Sequence, residues 1–305
     1  MKSRIGPNGV HFFDRNTGLN VLLDEFCPHQ TVWSKSPRQV SVALTNLCDL
    51  HCAHCFAPKH KALLHTDQVL TWLKELDTEG CLGIGFGGGE PTLHPDFVEI
   101  CKRAAGETHL AVTFTTHGHR LTQPLVKNLK GSIHFARISV DGIGHTYEEQ
   151  RGRQFSSLLR GIESIAKLSP FGINIVINER TIFELDAVAE LAQQFGASEL
   201  LLLPQQATNA VASMDELVGR ELQNWVSNYR GKVRLAVSEV GASGLPVCDP
   251  LPNETGLQAY AHIDASGILR TSSYSTTGMD IEETGVMSAL KRLRNTLEIK
   301  QGTQS

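Results

Sequence analysis

The sequence contains no run of 18 or more apolar residues, so no stretch of it reads as a membrane-spanning helix. No apolar signal segment follows Met1-Lys2-Ser3-Arg4-Ile5-Gly6-Pro7, which predicts a cytoplasmic location. The 28 lysines and arginines form no cluster and the formal charge is −4. That argues against a groove for long nucleic acid, while a small tRNA or nucleotide substrate stays open. A disulfide framework is also excluded. Small secreted domains need one when their cores are too small, whereas 305 residues at 41% hydrophobic can bury a large core. The seven cysteines are an odd number, and three of them crowd into eight residues.

Residues 1–36 hold two short alternating patches, His11–Phe13 and Leu19–Leu23, split by Asp14–Gly18. They read as a β-hairpin outside the main domain. From Val40 the chain alternates. Strand patterns fall at Val40–Leu44, Leu82–Phe86, Leu110–Thr115, Phe135–Val140, Ile173–Ile177 and Leu200–Leu203. Amphipathic helix patterns separate them: Asp67–Thr78, Pro95–Ala105, Gln123–Leu129, Phe155–Leu168 and Phe183–Phe195. Thr66 is placed to cap the first of these. Six β/α units make either a doubly wound sheet or a complete or partial barrel. A Rossmann domain opens with G-x-G-x-x-G after its first strand, and here that turn holds cysteines, which favours the barrel. After Pro204 come a helix pattern (Asp215–Tyr229), one more strand (Val233–Val237), an irregular stretch over 241–256, a hairpin about Asp264–Gly267 and a last helix over 286–299. The expected division is 1–36, 37–240 and 241–305.

Cys48, Cys52 and Cys55 have C-x3-C-x2-C spacing directly after the first core strand. Three thiolates are one ligand short of the four on a structural zinc or a cubane cluster, leaving one metal position open. His51, His54 and His60 stand near enough in sequence to complete a zinc site instead. Cys81 and Cys101 sit in apolar or helical surroundings and read as core thiols. Gly87-Gly88-Gly89, at the end of the second strand, strips side chains from the backbone. Alone it is a tight turn; beside the cysteine loop it reads as a shelf for a zwitterion.

Asn46-Leu47-Cys48-Asp49-Leu50-His51-Cys52-Ala53-His54-Cys55-Phe56, followed by Gly88-Gly89-Glu90-Pro91, resembles the radical S-adenosylmethionine (SAM) superfamily. The likeness is to the branch with SPASM or twitch C-terminal extensions, good over residues 38–204 and weaker to about residue 275. It implies an α/β fold with a partial (β/α)6 TIM-like barrel, an N-terminal β-hairpin and a small α+β extension. The resemblance also implies a [4Fe-4S] cluster on Cys48, Cys52 and Cys55, with SAM chelating the fourth iron. Reductive cleavage of SAM would give a 5′-deoxyadenosyl radical that takes hydrogen from the substrate. His54 holds the position of the family's flat residue against adenine, and the Gly88-Gly89-Glu90 backbone that of the methionine-amine site. Ser139, in Ile138-Ser139-Val140-Asp141-Gly142, Arg151, Asn178 and Pro204 fall at further SAM-contacting positions. His117 stands where many members have asparagine in T-N-G; substrate handling and a neutral substitution both remain open.

Cys248-Asp249-Pro250 and the His262–Arg270 hairpin resemble the start of a twitch extension, but Thr271-Ser272-Ser273 replace its next cysteine and no cysteine follows Cys248. The expectation is an extension without an auxiliary cluster. Cys248 has three readings: a buried remnant, a catalytic thiol donating hydrogen to a product radical, or a ligand to something else. Cys27 has no assigned partner. A peptide or amino-acid-like substrate comes first, a small metabolite or cofactor precursor second, and a non-catalytic iron-sulfur or zinc protein third. The resemblance further implies an external electron donor of flavodoxin or ferredoxin type.

Overall fold

The computed structural model describes residues 1–26, 28–208, 210–238 and 241–302; Cys27 lies outside the described residues. Strands β1 (Lys2–Gly6), β2 (Gly9–Phe13) and β3 (Asn20–Leu23) form an antiparallel sheet in that order. The expected hairpin is β2–β3, closed by Asp14 N–H to Leu19 O at 2.9 Å and Gly18 N–H to Asp14 O at 2.8 Å. β1 carries no alternating apolar pattern. Its Arg4 points inward instead, paired with Glu254 and donating to the carbonyls of Ser36, Gly80 and Gln258 at 3.0, 3.1 and 2.9 Å. This buried pair ties the small sheet to the main body.

The main sheet comprises β4 (Gln39–Thr45), β5 (Gly83–Gly88), β6 (Ala111–Thr116), β7 (Phe135–Ser139), β8 (Phe171–Ile177), β9 (Glu199–Pro204), β10 (Arg234–Val237), β11 (Tyr260–Ile263), β12 (Ile268–Arg270) and β13 (Met279–Asp280). β4 to β10 lie side by side in chain order, all parallel. A doubly wound sheet reverses direction at a switch point; from β4 to β10 this one does not, which is the barrel's order. β11 adds parallel to β4, then β12 and β13 add antiparallel. The end strands β10 and β13 do not pair with each other among the described residues, so the barrel is open.

The connecting helices are α1 (Thr66–Thr78), α2 (Phe97–Glu107), α3 (Gln123–Leu129), α4 (Gly144–Arg151), α5 (Phe155–Ala166), α6 (Leu185–Gln194), α7 (Glu216–Asn228) and α8 (Val286–Gly302). None is long and apolar enough to cross a membrane among the described residues. Thr66 does not cap α1: it is the first helical residue, and its hydroxyl donates to Asp96 at 2.8 Å. α4 escaped the sequence pattern because it buries only Tyr147 and so shows no apolar period.

Alternation along the strands gives the sheet two unlike faces. Ile84, Phe86, Val112, Phe114, Ala136, Ile138, Ile173, Leu200 and Leu202 are buried under the helices and form the core. The opposite face carries Ser41, Gly85, Gly87, Thr113, Thr115, Arg137 and Ser139, all half-buried. A filled barrel would bury this lumen face with branched side chains. Here glycine, serine and threonine take most of these positions, and the one long side chain named, Arg137, is drawn to Glu199.

Candidate active site

The cysteine loop begins one residue beyond β4, at the strand ends where barrel enzymes build their sites. Its three thiols are free and half-buried. Cys55 N–H donates to Cys52 O at 3.2 Å, and Leu50 N–H to Cys48 Sγ at 3.4 Å. Burial pushes the Cys48 thiol up. It also pushes up Cys52, against the pull of the Arg151 guanidinium, whose N–H lies 3.8 Å from Cys52 Sγ.

The glycine run supports this loop from beneath. Gly89 N–H donates to Thr45 O at 2.7 Å and Glu90 N–H to Leu47 O at 2.8 Å. A Cβ on Gly88, at φ +121°, would lie 2.1 Å from Thr45 O, and one on Gly89 would lie 2.2 Å from Leu47 O. Two of the three glycines are therefore required by the loop's own backbone. Gly87, with no atom within 4 Å of its Cβ position, is the one that opens space.

Glu90 works as a buried bolt. Its carboxylate accepts from Thr92 N–H and hydroxyl at 3.2 and 2.7 Å, from the Thr116 hydroxyl at 2.9 Å, and from His117 N–H at 3.0 Å. The side chain is thus committed to joining the ends of β5 and β6. His117 Nδ1 accepts the His119 N–H at 3.1 Å, so Nε2 carries the hydrogen in the neutral ring and donates it to Asp49 at 2.9 Å. Sequence reading passed over Asp49, which this contact makes the anchor between cysteine loop and β6. Burial raises its pKa, and His117 with Arg120 outweighs it, leaving the carboxyl below the usual range.

His54 does not stand free as a flat surface. Its Nε2 lies 3.0 Å from Asp141 Oδ2, and Nδ1 lies 3.3 Å from Gln150 Oε1. Asp141, fully buried beyond β7, also meets Arg151 at 2.6 Å and accepts Val176 N–H at 2.8 Å through Oδ1. Burial opposes its ionisation, yet Arg151 and His54 hold its pKa down to about 2. Arg151 and His54 both approach Oδ2 off the hydrogen-bond axis, and Arg151 Nε has no partner among the described residues. Asp141 was legible only as a lone acid after an apolar strand. Asn178 makes a turn after β8: its Oδ1 accepts from Arg180 N–H at 3.0 Å and Thr181 N–H at 3.2 Å, and its amide donates to Gln205 at 3.0 Å. Ser139 ends β7 half-buried and Pro204 ends β9 buried. His54, Arg151 and Asn178 share a cleft of about 760 Å³ with His51, Arg180 and Gln205. A second cleft, about 650 Å³ between α6 and α7, contains none of these residues.

Cys248 is exposed, which corrects the reading of a buried remnant. Cys81 and Cys101 are fully buried, as expected of core thiols. The zinc reading loses its histidines: His54 is turned to Asp141, His60 Nε2 lies against Asn46 and Ser266 at 3.4 and 3.3 Å, and His51 is exposed. Ligand atoms of Cys48, Asp49 and His117 do lie within 4.8 Å of one another. Both ring nitrogens of His117 are already hydrogen-bonded, however.

Residues 42–192, the stretch that carries the cysteine loop, the glycine run and Asp141, match the radical SAM superfamily. Through this stretch, the chain belongs to the radical SAM superfamily. Mycofactocin maturase MftC from Mycobacterium tuberculosis is 32% identical over 163 residues, 51% of this chain and 41% of that protein. An AdoMet-dependent heme synthase from Methanosarcina barkeri is 31% identical over 173 residues, 54% of this chain and 49% of that protein. The chain thus matches about half the length of these curated relatives or less. SuiB from Streptococcus suis, solved with S-adenosylmethionine, has the same fold at TM-score 0.74 and 12% identity, covering 94% of this chain and 86% of SuiB. The AdoMet-bound anSMEcpe shares the fold at TM-score 0.62 and 17% identity, covering 79% and 75% of the two chains.

The superfamily's cofactors are a [4Fe-4S] cluster and SAM. The radical SAM donor set fits them. Three soft thiols share one loop, and no fourth thiol joins them among the described residues. The Arg151 guanidinium beside Cys52 favours the thiolate that metal binding requires.

Proposed function

We propose that this radical SAM chain cleaves SAM reductively and takes hydrogen from a carbon of a peptide or amino-acid-like substrate, with an external flavodoxin- or ferredoxin-like electron donor. The observation that carries the reading is the loop of three thiols clamped onto glycine backbone, with no fourth thiol to close the set among the described residues. Cys48, Cys52 and Cys55 would hold the cluster, which supplies the electron for breaking the sulfonium bond of SAM. The chain's own residues hold that site in shape. Glu90 fixes the ends of β5 and β6, His117 ties them to Asp49 in the loop, and Asp141 holds Arg151 at Cys52. Ser139, Asn178 and Pro204, at the ends of β7, β8 and β9, would border SAM; the Asn178 side chain acts there by shaping its turn. SuiB, which shares the fold, is also solved bound to a precursor peptide, which supports the peptide reading. The likeness to a heme synthase supports a small cofactor precursor as the second.

In anaerobically reconstituted protein given SAM and dithionite, methionine and 5′-deoxyadenosine should accumulate together. In the Cys48→Ala/Cys52→Ala/Cys55→Ala variant both should fall by more than the ~10–100-fold that outer partners of a metal site are worth. Equal product from the variant would refute the proposal.

A further inference from the structure

The lumen face carries a second polar cluster that cofactor binding leaves unused. His262 of β11 stands opposite Ser41 of β4, and Tyr260 lies two residues earlier on the same face. Ser41 Oγ hydrogen-bonds to the Tyr260 hydroxyl and, at 2.7 Å, to His262 Nδ1. Burial holds the His262 pKa down to about 4, with Asp264 opposing and Arg270 assisting, so the ring is neutral near pH 7. Its Nε2 has no partner among the described residues. Nothing in the sequence pattern announced this cluster, because it forms only when β11 pairs with a strand 221 residues earlier.

Three further observations make it a site. Gly85 stands opposite Ser41 and Gly87 opposite Ala43, so the neighbouring strand places no side chain over the cluster. Ser41 lies four residues below the end of β4, about 13 Å along the strand, and the cysteine loop follows directly. Tyr274 then packs against Phe56, the residue after Cys55, at 4.7 Å between ring centroids. Burial raises the Tyr260 phenol pKa, and Tyr274 is close enough to add to that. Tyr274 follows Thr271-Ser272-Ser273, the segment that stands where a cluster cysteine was expected.

Among the described residues no free charge accompanies the cluster. Arg270 is paired with Asp264, and Arg137 and Arg234 are paired with Glu199. Serine, phenol and neutral imidazole can each donate and accept, which suits an amide and leaves a carboxylate unbalanced.

We propose that Ser41, Tyr260 and His262, with Phe56 and Tyr274 above them, form the substrate subsite of this enzyme. It takes an uncharged, amide-bearing segment: His262 Nε2 hydrogen-bonds the amide, and an apolar side chain lies against the Phe56–Tyr274 pair. This rests on the peptide-directed reading above and names the residues that would recognise the substrate.

The test uses reconstituted, SAM-bound protein labelled with ¹⁵N-histidine and titrated with N-acetyl-phenylalanine methylamide, then with N-acetyl-aspartate methylamide. The His262 resonance is assigned through His262→Gln. It should move with the first probe, and the acidic probe should bind about tenfold more weakly, because the subsite would bury its charge unpaired. Tyr274→Ala, a change at a partly exposed ring, should weaken the first probe about fivefold while the His262 signal of the free protein stays in place. An unmoved His262 signal, equal binding of the two probes, or unchanged binding by Tyr274→Ala each overturns the subsite. SAM cleavage measured on the same sample separates the two readings. Cleavage without a His262 shift removes the subsite alone, and a shift without cleavage supports the subsite while removing the radical assignment.

Discussion

Asp141→Asn should lower the folding free energy by about 3 kcal/mol, the low end of the cost of breaking a buried ion pair from one side. The substitution keeps the side chain's size but leaves the Arg151 charge beside a neutral amide in a site where Arg151 is only 13% exposed. It also removes the partner that orients His54. The low end is appropriate because Arg151 and His54 meet Oδ2 off axis, so less hydrogen bonding is lost than the short distances suggest. Urea unfolding of the cluster-free protein under reducing conditions measures it. The pH dependence follows from the same pair. With its folded pKa depressed to about 2 from 3.8, Asp141 contributes stability that is fully present above the unfolded value and is lost as pH falls through the folded one. The variant and parent curves should therefore converge below about pH 2 and separate above pH 4. A constant gap across that window would mean that the carboxylate charge is not what stabilises the fold.

Gly88→Ala and Gly89→Ala should be similarly severe for a different reason. Each new methyl group would meet a backbone carbonyl at 2.1–2.2 Å, and a carbonyl cannot swing aside as a side chain can. Overpacking costs about 1–3 kcal/mol, and the φ of +121° at Gly88 adds about 1–3 kcal/mol there. The relief available is for the cysteine loop to lift from β5. Iron uptake should therefore fall along with the melting temperature. Gly87→Ala is the internal comparison: nothing lies near its Cβ position, so stability should change by no more than about 1 kcal/mol. Comparable damage from all three substitutions would show that the run is needed for strand geometry rather than for loop contact.

Local signals were legible in the sequence and long-range ones were not. The β/α alternation, the cysteine spacing and the Asp264–Gly267 turn are written in contiguous residues, and that turn does join two strands, Tyr260–Ile263 and Ile268–Arg270. β1 and α4 were missed because an inward arginine and a polar helix show no apolar period. The glycine run was visible, but which glycine faces a ligand depends on where the Thr45–Leu47 backbone lies, and that is set by tertiary packing. The same holds for Glu90, which reads as part of a binding motif and proves to have its carboxylate filled by Thr92, Thr116 and His117. Asp49 and the Ser41–Tyr260–His262 cluster gain meaning only from partners far along the chain, and Asp141 joins the nearby Arg151 to the distant His54.

The central claim is one cluster, held by three cysteines, with an iron position left for SAM. Iron counting combined with electron paramagnetic resonance of the dithionite-reduced, reconstituted protein, before and after adding SAM, tests it most directly. The account predicts about four irons per chain, a single reduced-cluster signal that changes shape on adding SAM, and loss of both in the triple cysteine variant. About eight irons per chain, or a signal indifferent to SAM, would contradict it.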